Sequence, residues 1–382
     1  MFNFDKTVDR HNSGSEKYDR LNKLYGSSDV MAMWVADMDF EIAPCIDEAI
    51  KKRSEHKLYG YPSYPESLFE SIISWMQRHH EWSIKKEWLT FSPGVLASLN
   101  LSVQALTPKN SSITIQTPVY PPFFQAATLN DRNLLTSPLT LNANRYETNF
   151  SDLNEKLKKS SMLIISNPHN PTGTLFSKDE LQETLRLCKK HDVILFSDEI
   201  HSDIVYDKFT PAGSIEGDYK VITAQSPSKT FNLAGLSASF SIISNETMRQ
   251  KLRDELKKLH IATINQYGIV AMQAAYSCGD RWLEELKAYL QQNIRTASTF
   301  FENSAIKMTP PEATYLLWLD CSALHLDARE LGEFFSKKAK LGLSPGYTFS
   351  KEYATHMRMN IALPHAQLQR ALHQLEAALA AT

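Results

Sequence analysis

The chain is poor in cysteine, in long apolar runs and in excess charge of either sign. Its four cysteines, at positions 45, 188, 278 and 321, are far apart and form no CxxC pair, so we predict neither a metal site nor a disulfide framework. No apolar run approaches the roughly 20 residues that span a bilayer. A formal net charge of −2 gives no basic face for nucleic acid or an anionic membrane. These absences favour a small-molecule partner.

The N-terminus also lacks the continuous apolar stretch of a signal peptide, which predicts a cytoplasmic protein. The length of 382 residues exceeds what one hydrophobic core usually supports, which predicts two domains. We expect a large domain over residues 46–287 and a smaller C-terminal domain over residues 288–382. The N-terminal segment, residues 1–45, is assigned to the smaller domain.

Helix-like and strand-like segments alternate from about residue 46 onward, which is typical of an α/β fold with a mostly parallel sheet sandwiched by helices. Brief apolar or β-branched runs predict strands at residues 89–91, 112–116, 134–137, 162–166, 193–196 and 221–224. Long amphipathic helices are predicted over residues 246–259, 267–278 and 281–303. Shorter strands and helices follow, which predict a smaller α+β unit.

The run SPSKTFNLAGL, residues 226–236, places Lys229 directly behind one of those strands. Lysine is usually a solvated surface residue. A desolvated lysine has a lowered pKa, and its free amine then forms Schiff bases with aldehydes. The run SPGVLASL, residues 92–99, is a second candidate, because Gly94 and the amides of Val95 and Leu96 could hold an anion at a helix start. An ordinary strand-to-helix turn explains that run equally well.

Three further residues lie at predicted strand ends or within a late strand. In SNPHNPTG (166–173), two prolines rigidify a loop around Asn170, although ordinary turns also use Asn, Pro and Gly. Asp198 ends a strand, either as a loop acid or as a buried partner for a protonated ring nitrogen. Arg358, in MRMNIALP, is either a snorkelling surface residue or a bidentate clamp for a carboxylate.

The order of these motifs resembles the fold-type I family of pyridoxal phosphate enzymes, the aspartate aminotransferase superfamily. The resemblance covers essentially the whole chain and implies pyridoxal 5'-phosphate as cofactor and Lys229 as its Schiff-base lysine. Asp198 would pair with the ring nitrogen, Asn170 would donate to the ring 3-oxygen with His201 nearby, and Tyr120 would stack on the ring. His201 has a structural alternative, and Tyr120 has the alternative of a core residue.

The same resemblance assigns the two ends of the site. It implies that the phosphate rests on Gly94, Val95 and Leu96, with donors from Ser226 and Ser228. Tyr61 would reach the phosphate of a neighbouring subunit, which implies a homodimer with shared sites. The substrate carboxylate would be held by Arg358, assisted by the backbone near Ala36 and Asp37. Many aminotransferases carry a cation eight positions after the lysine, where this chain has Ser237.

Within the superfamily, the segments MWVADMDF, YGYP, SDEIH and SPSKTFNLAGL are similar to the cystathionine β-lyase subgroup typified by MalY and PatB. This resemblance implies a carbon–sulfur β-lyase that converts cystathionine or cysteine S-conjugates to thiol, pyruvate and ammonia, with Lys229 as the base. Two alternatives stay open. One is a class I/II aminotransferase, and the other is a MalY-like regulator that binds a transcription activator.

Overall fold

The architecture is that of a computed structural model that describes residues 2–381. The strands are β1 (Met31–Ala32), β2 (Leu89–Ser92), β3 (Ser112–Thr117), β4 (Asn133–Pro138), β5 (Thr140–Asn142), β6 (Arg145–Glu147), β7 (Ser160–Ser166), β8 (Ile194–Asp198), β9 (Val221–Gln225), β10 (Ser239–Ile242), β11 (Lys307–Thr309), β12 (Leu316–Asp320), β13 (Leu341–Gly342), β14 (Ser344–Pro345) and β15 (His356–Asn360). The α-helices are α1 (Glu16–Asp19), α2 (Leu21–Tyr25), α3 (Pro44–Glu55), α4 (Glu66–His80), α5 (Val95–Leu106), α6 (Pro122–Thr128), α7 (Phe150–Leu157), α8 (Lys178–Lys190), α9 (Pro227–Thr230), α10 (Glu246–Lys258), α11 (Gln266–Cys278), α12 (Asp280–Glu302), α13 (Ala328–Glu333) and α14 (His365–Ala380).

The main sheet has seven strands in the order β2-β10-β9-β8-β7-β3-β4. Its neighbours are parallel from β9 to β4, and β10 is antiparallel to both β2 and β9. The prediction of a mostly parallel sheet is therefore confirmed. The short strand β10, whose sequence SFSI alternates serine with apolar residues, was missed because four such residues give little periodic signal.

The sheet is buried on both faces, as expected of parallel strands. In β7, Ile164 contributes to the core that contains α5, α6 and α10. The next residue, Ile165, contributes to the core of α7 and α8 on the other face. Helix α8 begins at a capping box in which Ser177 and Glu180 bond each other's backbone amides. The predicted helical sandwich is confirmed.

The smaller sheet has the order β11-β12-β15-β14 and is antiparallel throughout. Strand β1, in the N-terminal segment, pairs with β13 near this sheet. Helix α13 is followed directly by a π-helical turn, Phe334–Lys338, so the helical pitch changes at Phe334.

The expectation that all cysteines are unpaired is wrong for two of them. Cys45, near the start of α3, and Cys278, at the end of α11, form a disulfide across 233 sequence positions, with their Cα atoms 6.5 Å apart. Cys188 and Cys321 are free and buried. Sequence spacing could not reveal this pair, because helix packing brings the two residues together. Across residues 2–381 we find no helix with the length and apolar character needed to cross a membrane.

Candidate active site

A cavity of about 1130 Å³ opens at the carboxyl edge of the main sheet, beside the smaller sheet. Strands β7, β8 and β9 end at this edge, which is where open α/β sheets bind ligands. The predicted site residues that line the cavity are Ala36, Gly94, Val95, Leu96, Tyr120, Asn170, Asp198, His201, Ser226, Ser228, Lys229 and Arg358. Asp37 and Tyr61 are the two predicted site residues that do not.

Lys229 is held by a short turn of helix directly after β9. The Ser226 side chain caps this turn by accepting a hydrogen bond from the Ser228 amide at 3.1 Å. The Lys229 Nζ donates to the Ala36 carbonyl oxygen at 2.7 Å. Burial, reinforced by the positive charge of Arg358, lowers the pKa of Lys229 to about 8. The Lys229 amine therefore loses its proton more readily than that of an exposed lysine.

Asp198 is the last residue of β8 and is buried beside the cavity. One carboxylate oxygen accepts a hydrogen bond from the Ile200 amide at 3.1 Å. Burial raises the pKa of Asp198 to about 6, although the Ile200 amide and Lys229 oppose that shift. Burial and the nearby Asp198 also raise the pKa of Tyr120. A cation bound next to Asp198 would offset the energetic cost of ionising this buried carboxyl group.

Arg358 and Asn170 meet between the two sheets. The Arg358 Nη1 donates to Asn170 Oδ1 at 2.9 Å, and Nη2 donates to the Trp34 carbonyl at 2.6 Å. The Arg358 Nε is buried without a partner among the described residues. Burial lowers the pKa of Arg358 to about 10, and its guanidinium lies 4.9 Å from the centre of the Phe349 ring. Arg358 is thus a buried cation rather than a snorkelling surface residue.

The opposite end of the cavity is suited to an anion. Helix α5 starts at Val95, and no side chain of residues 2–381 caps it, so its first amides have no side-chain acceptor in that part of the chain. A Cβ built on Gly94 would meet no atom within 4 Å, which leaves room for a group at the helix start. Ser237, in place of the cation of many aminotransferases, also lines this cavity.

The hydroxyl of Ser226, which was predicted to donate to the phosphate, forms hydrogen bonds within the protein. It donates to the Ala238 carbonyl at 2.7 Å while accepting from the Ser228 amide. Its single hydrogen is therefore committed within the protein, and its visible role is to cap the lysine turn. The predicted donation to the phosphate requires that hydrogen to rotate away from Ala238.

His201 is buried, and its Nδ1 has no hydrogen-bond partner among the described residues. Burial, with the positive charges of Lys229 and Arg358, holds the pKa of His201 well below its usual value. The imidazole is therefore neutral. Its ring packs edge-on against Tyr315, with centroids 5.9 Å apart.

Two predicted residues lie elsewhere. Tyr61 is fully exposed, with 106% of its reference surface accessible, so it contributes nothing to the cavity of its own chain. Asp37 does not line the cavity, and its carboxylate pairs with Arg10, Nη2 to Oδ2, at 2.7 Å. The Asp37 carbonyl accepts from Asn360 Nδ2 at 2.6 Å. Support of a substrate carboxylate would have to come from backbone amides rather than carbonyls, so the predicted assistance from Ala36 and Asp37 stays a prediction.

Sequence reasoning missed several residues around the site. Trp34 and Phe349 line the cavity, and the Tyr315 hydroxyl donates to the Ala36 carbonyl at 3.0 Å. Asn232 donates to the carbonyls of Met38 and Phe40. Trp34 and Asn232 stand inside conspicuous runs and could have been considered. Tyr315 and Phe349 carry no local signal, because only the tertiary fold brings Tyr315 to Ala36 and Phe349 to the cavity.

Comparison with known proteins agrees with this geometry. The sequence model for aminotransferase class I and II matches residues 28–375. The cystathionine beta-lyase PatB of Bacillus subtilis is 39% identical over 99% of this chain and 100% of its own length. A PLP-bound putative aminotransferase from Clostridium difficile 630 superposes with a TM-score of 0.97 at 40% identity, covering 99% of this chain and 100% of its own.

A further solved structure is the PLP-bound C-S lyase from Staphylococcus hominis. It has a TM-score of 0.92 at 33% identity and covers 99% of this chain and 98% of its own. Both the sequence match and these superpositions extend over almost the whole chain. The chain therefore belongs to the family of class I and II aminotransferases, within its cystathionine β-lyase subgroup typified by MalY and PatB.

Proposed function

We propose that this protein is a pyridoxal phosphate-dependent carbon–sulfur β-lyase that splits cystathionine or a related cysteine S-conjugate into a thiol, pyruvate and ammonia. The observation that carries the proposal is the Lys229 amine, which shares one cavity with Asp198, Asn170 and Arg358. Relatives named as cystathionine β-lyase or C-S lyase match nearly the whole chain and favour elimination over transamination.

The residues present fit the cofactor. The open space at Gly94 and the uncapped start of α5 suit a phosphate, since helix N-termini stabilise anions through their free amides. The buried carboxylate of Asp198 suits a protonated ring nitrogen, because an opposite charge offsets its desolvation. Tyr120 and His201 line the space between these two ends, and Lys229 supplies the amine.

Substrate binding falls to Arg358. Its buried guanidinium keeps an unpaired donor at Nε, and a hydrogen bond from a guanidinium to a carboxylate is strengthened by the two opposite charges. The bonds to Asn170 and Trp34 fix the plane of the guanidinium before substrate arrives. A fixed plane reduces the conformational entropy lost on binding. Arg358 would thereby hold the carboxylate end of the amino acid in the cavity that it shares with Lys229.

Proton transfer falls to Lys229. Its pKa of about 8 leaves roughly a tenth of the amine neutral at pH 7, and a neutral amine accepts a proton in general base catalysis. The bound cofactor supplies an electron sink for the carbanion formed at Cα. Since the Nζ already donates to Ala36, its position is restricted while it takes up the Cα proton.

The finer parts of the proposal concern assembly and location. We include a homodimer, because Leu58, Tyr59 and Tyr61 are large side chains exposed within one short segment. Exposed apolar groups in a contiguous patch are typical of a surface that a partner covers. Tyr61 would then complete the phosphate site of the other subunit. A cytoplasmic location is likewise part of the proposal.

The test is to incubate the purified, cofactor-loaded protein with L-cystathionine and to measure pyruvate and free thiol together. We expect both products in equal amounts, and we expect Lys229→Ala to abolish them. Lys208→Ala, which changes an exposed lysine paired with Glu81, serves as the matched control and should retain wild-type activity. Oxo-acid formation from an amino acid without thiol release would instead identify an aminotransferase and overturn the lyase proposal.

A further inference from the structure

The backbone of residues 34–38 runs beneath Lys229, and each of its carbonyl groups accepts a side-chain hydrogen bond. We call these residues the carbonyl segment. The donors are Arg358 and Ser344 to Trp34, Asn360 to Val35 and Asp37, Lys229 and Tyr315 to Ala36, and Asn232 and Arg10 to Met38. Five consecutive carbonyls are thus bound by donors that come from distant parts of the chain.

A cluster of four charged side chains holds the far end of this segment. The ionic cluster consists of Arg10, Lys17, Asp37 and Asp39. Arg10 bonds both Asp37 oxygens, at 2.7 and 3.1 Å, and one Asp39 oxygen at 2.6 Å. Lys17 Nζ lies 2.9 Å from the other Asp39 oxygen and 3.4 Å from Asp37. The Tyr18 hydroxyl also donates to Asp39, at 3.0 Å.

The cluster is buried more deeply than a surface ion pair. The Lys17 side chain is 1% exposed and that of Asp39 is 4% exposed. Burial opposes ionisation of Asp37, but Arg10 and Lys17 outweigh it and hold the pKa of Asp37 below its usual value. Buried ion pairs often contribute little net stability compared with apolar packing, because desolvation offsets their attraction. Their directed bonds do, however, fix one geometry.

We propose that the ionic cluster is a positioning device for Lys229, acting through the Ala36 carbonyl. Asp37 follows Ala36 directly in the chain and Asp39 lies two residues further on, so their fixed carboxylates set where that carbonyl points. The carbonyl receives Lys229 Nζ at 2.7 Å and the Tyr315 hydroxyl at 3.0 Å. With one N–H held there, the lone pair of the neutral amine is restricted to the remaining directions.

None of the four charged residues lines the central cavity, so they are positioning residues rather than catalytic ones. The N-terminal segment gains a defined role in this arrangement, because Arg10 and Lys17 come from it. The inference rests on the proposed function in one respect, which is the role of Lys229 as the catalytic base. The geometric part, that the cluster sets the environment of the lysine amine, can be tested in the absence of any substrate.

The experiment compares Asp39→Asn with the wild type, both as the full chain. The matched control is Lys6→Met, which breaks the exposed Lys6–Glu41 pair of the same N-terminal segment. In the cofactor-loaded enzyme we expect the kcat for pyruvate release to fall roughly tenfold or more, because small misplacements of a reacting group are costly. KM should stay within about twofold, since Arg358 keeps its bond to Asn170 and meets the carbonyl segment at Trp34, the end farthest from Asp39.

The second readout is the rate at which the Lys229 amine of the cofactor-free protein is reductively methylated, followed by mass spectrometry at pH 7.5. Asp39→Asn loosens the carbonyl acceptor that favours the ammonium form, so we expect methylation to accelerate several-fold. Tyr18→Phe, which removes one bond to Asp39, should shift both readouts in the same direction by less. If Asp39→Asn does not fold, the same two readouts are measured in Tyr18→Phe instead.

The outcomes separate the two proposals. If the wild type releases no pyruvate, the proposed function is contradicted. If Lys229 is nevertheless methylated faster in Asp39→Asn than in the wild type, the positioning device is supported. If the variants have a lower Tm, while kcat and methylation rate match those of Lys6→Met, the cluster serves stability alone and the positioning inference is overturned.

Discussion

Arg358 donates from Nη1 to the side-chain oxygen of Asn170 at 2.9 Å, although the two residues are 188 positions apart in the chain. Because the oxygen of Asn170 faces Arg358, its amide nitrogen is directed to the other side. One hydrogen bond thus joins the proposed clamp for the substrate carboxylate to the proposed donor for the cofactor ring. A change at Asn170 should therefore affect both ligands.

Asn170→Ala removes the hydrogen bond between Arg358 and Asn170. It leaves Arg358 Nη1 buried without its acceptor, and hydrogen bonds to charged groups contribute about 1.5–3 kcal/mol. We expect kcat/KM for cystathionine to fall roughly ten- to a hundredfold and the cofactor to dissociate more readily. Steady-state kinetics and equilibrium dialysis of the cofactor measure the two effects.

Asn167→Ala is the control for the Asn170 variant. Asn167 is buried in the same loop and accepts from the Phe176 amide at 3.2 Å, but it does not line the cavity. Its loss should lower Tm while leaving KM and cofactor affinity close to wild type. Equal kinetic losses in both variants would show that loop stability, and not the bond to Arg358, controls substrate binding.

Asp198→Asn should stabilise the cofactor-free protein while weakening cofactor binding. The pKa of Asp198 is raised to about 6 by burial, against about 3.9 in an unfolded chain. Between these values the folded state binds more protons than the unfolded state, so this contribution to stability is present below pH 4 and is lost as the pH rises to 6. At pH 7 the ionised carboxylate therefore costs stability, with an upper bound of about 3 kcal/mol.

Chemical denaturation of the cofactor-free protein at pH 4.5 and pH 7 measures this effect. The advantage of Asp198→Asn should be larger at pH 7 than at pH 4.5, and the exposed Asp218→Asn should show no such difference. Dialysis should show weaker retention of the cofactor by Asp198→Asn. A pH-independent stability difference would mean that Asp198 does not titrate in this range.

The Lys229 amine should titrate far below an ordinary lysine. Burial and Arg358 lower its pKa to about 8, whereas a free side chain has a pKa of about 10.4. In the cofactor-free protein, its rate of reductive methylation should therefore be half-maximal near pH 8, with Nα-acetyl-lysine in the same mixture as the standard. Arg358→Met removes a neighbouring positive charge and should raise that midpoint. Co-titration of Lys229 with the standard would contradict the proposed base.

Much of this site could be predicted from the sequence because its parts follow strands with a clear apolar signal. Helix α5 starts at Val95, directly after Gly94, as predicted, and Asp198 ends β8 as expected. Lys229 and Asn170 occur in runs of distinctive composition at the ends of β9 and β7. The parallel order of these strands then brings their carboxyl ends together.

The remaining features depend on tertiary contacts that leave no local pattern. Tyr315 reaches Ala36 across 279 positions, and the ionic cluster draws on residues spread over positions 10–39. The hydroxyl of Ser226 accepts from the Ser228 amide and donates to the Ala238 carbonyl. These bonds compete with the predicted donation to the phosphate, and sequence spacing alone cannot reveal them. Tyr61 lies on the surface, so only an assembled oligomer can test its predicted role.

The disulfide between Cys45 and Cys278 gives the last prediction. Under denaturing, non-reducing conditions, iodoacetamide should label Cys188 and Cys321 only, and all four cysteines should react after reduction. A cross-link of this kind typically contributes about 2–4 kcal/mol by restricting the unfolded chain. Reductant should therefore lower the free energy of unfolding of the wild type by a similar amount.

Cys45→Ser should reproduce that loss of stability and abolish the further effect of reductant, whereas Cys188→Ser should leave the effect of reductant intact. Because glutathione keeps cytosolic thiols reduced, the labelling should also be done on protein whose thiols are trapped at lysis. Four reactive thiols in the trapped sample, and two after exposure to air, would show that the disulfide forms outside the reducing cytoplasm. Four reactive thiols under every condition would contradict the disulfide itself.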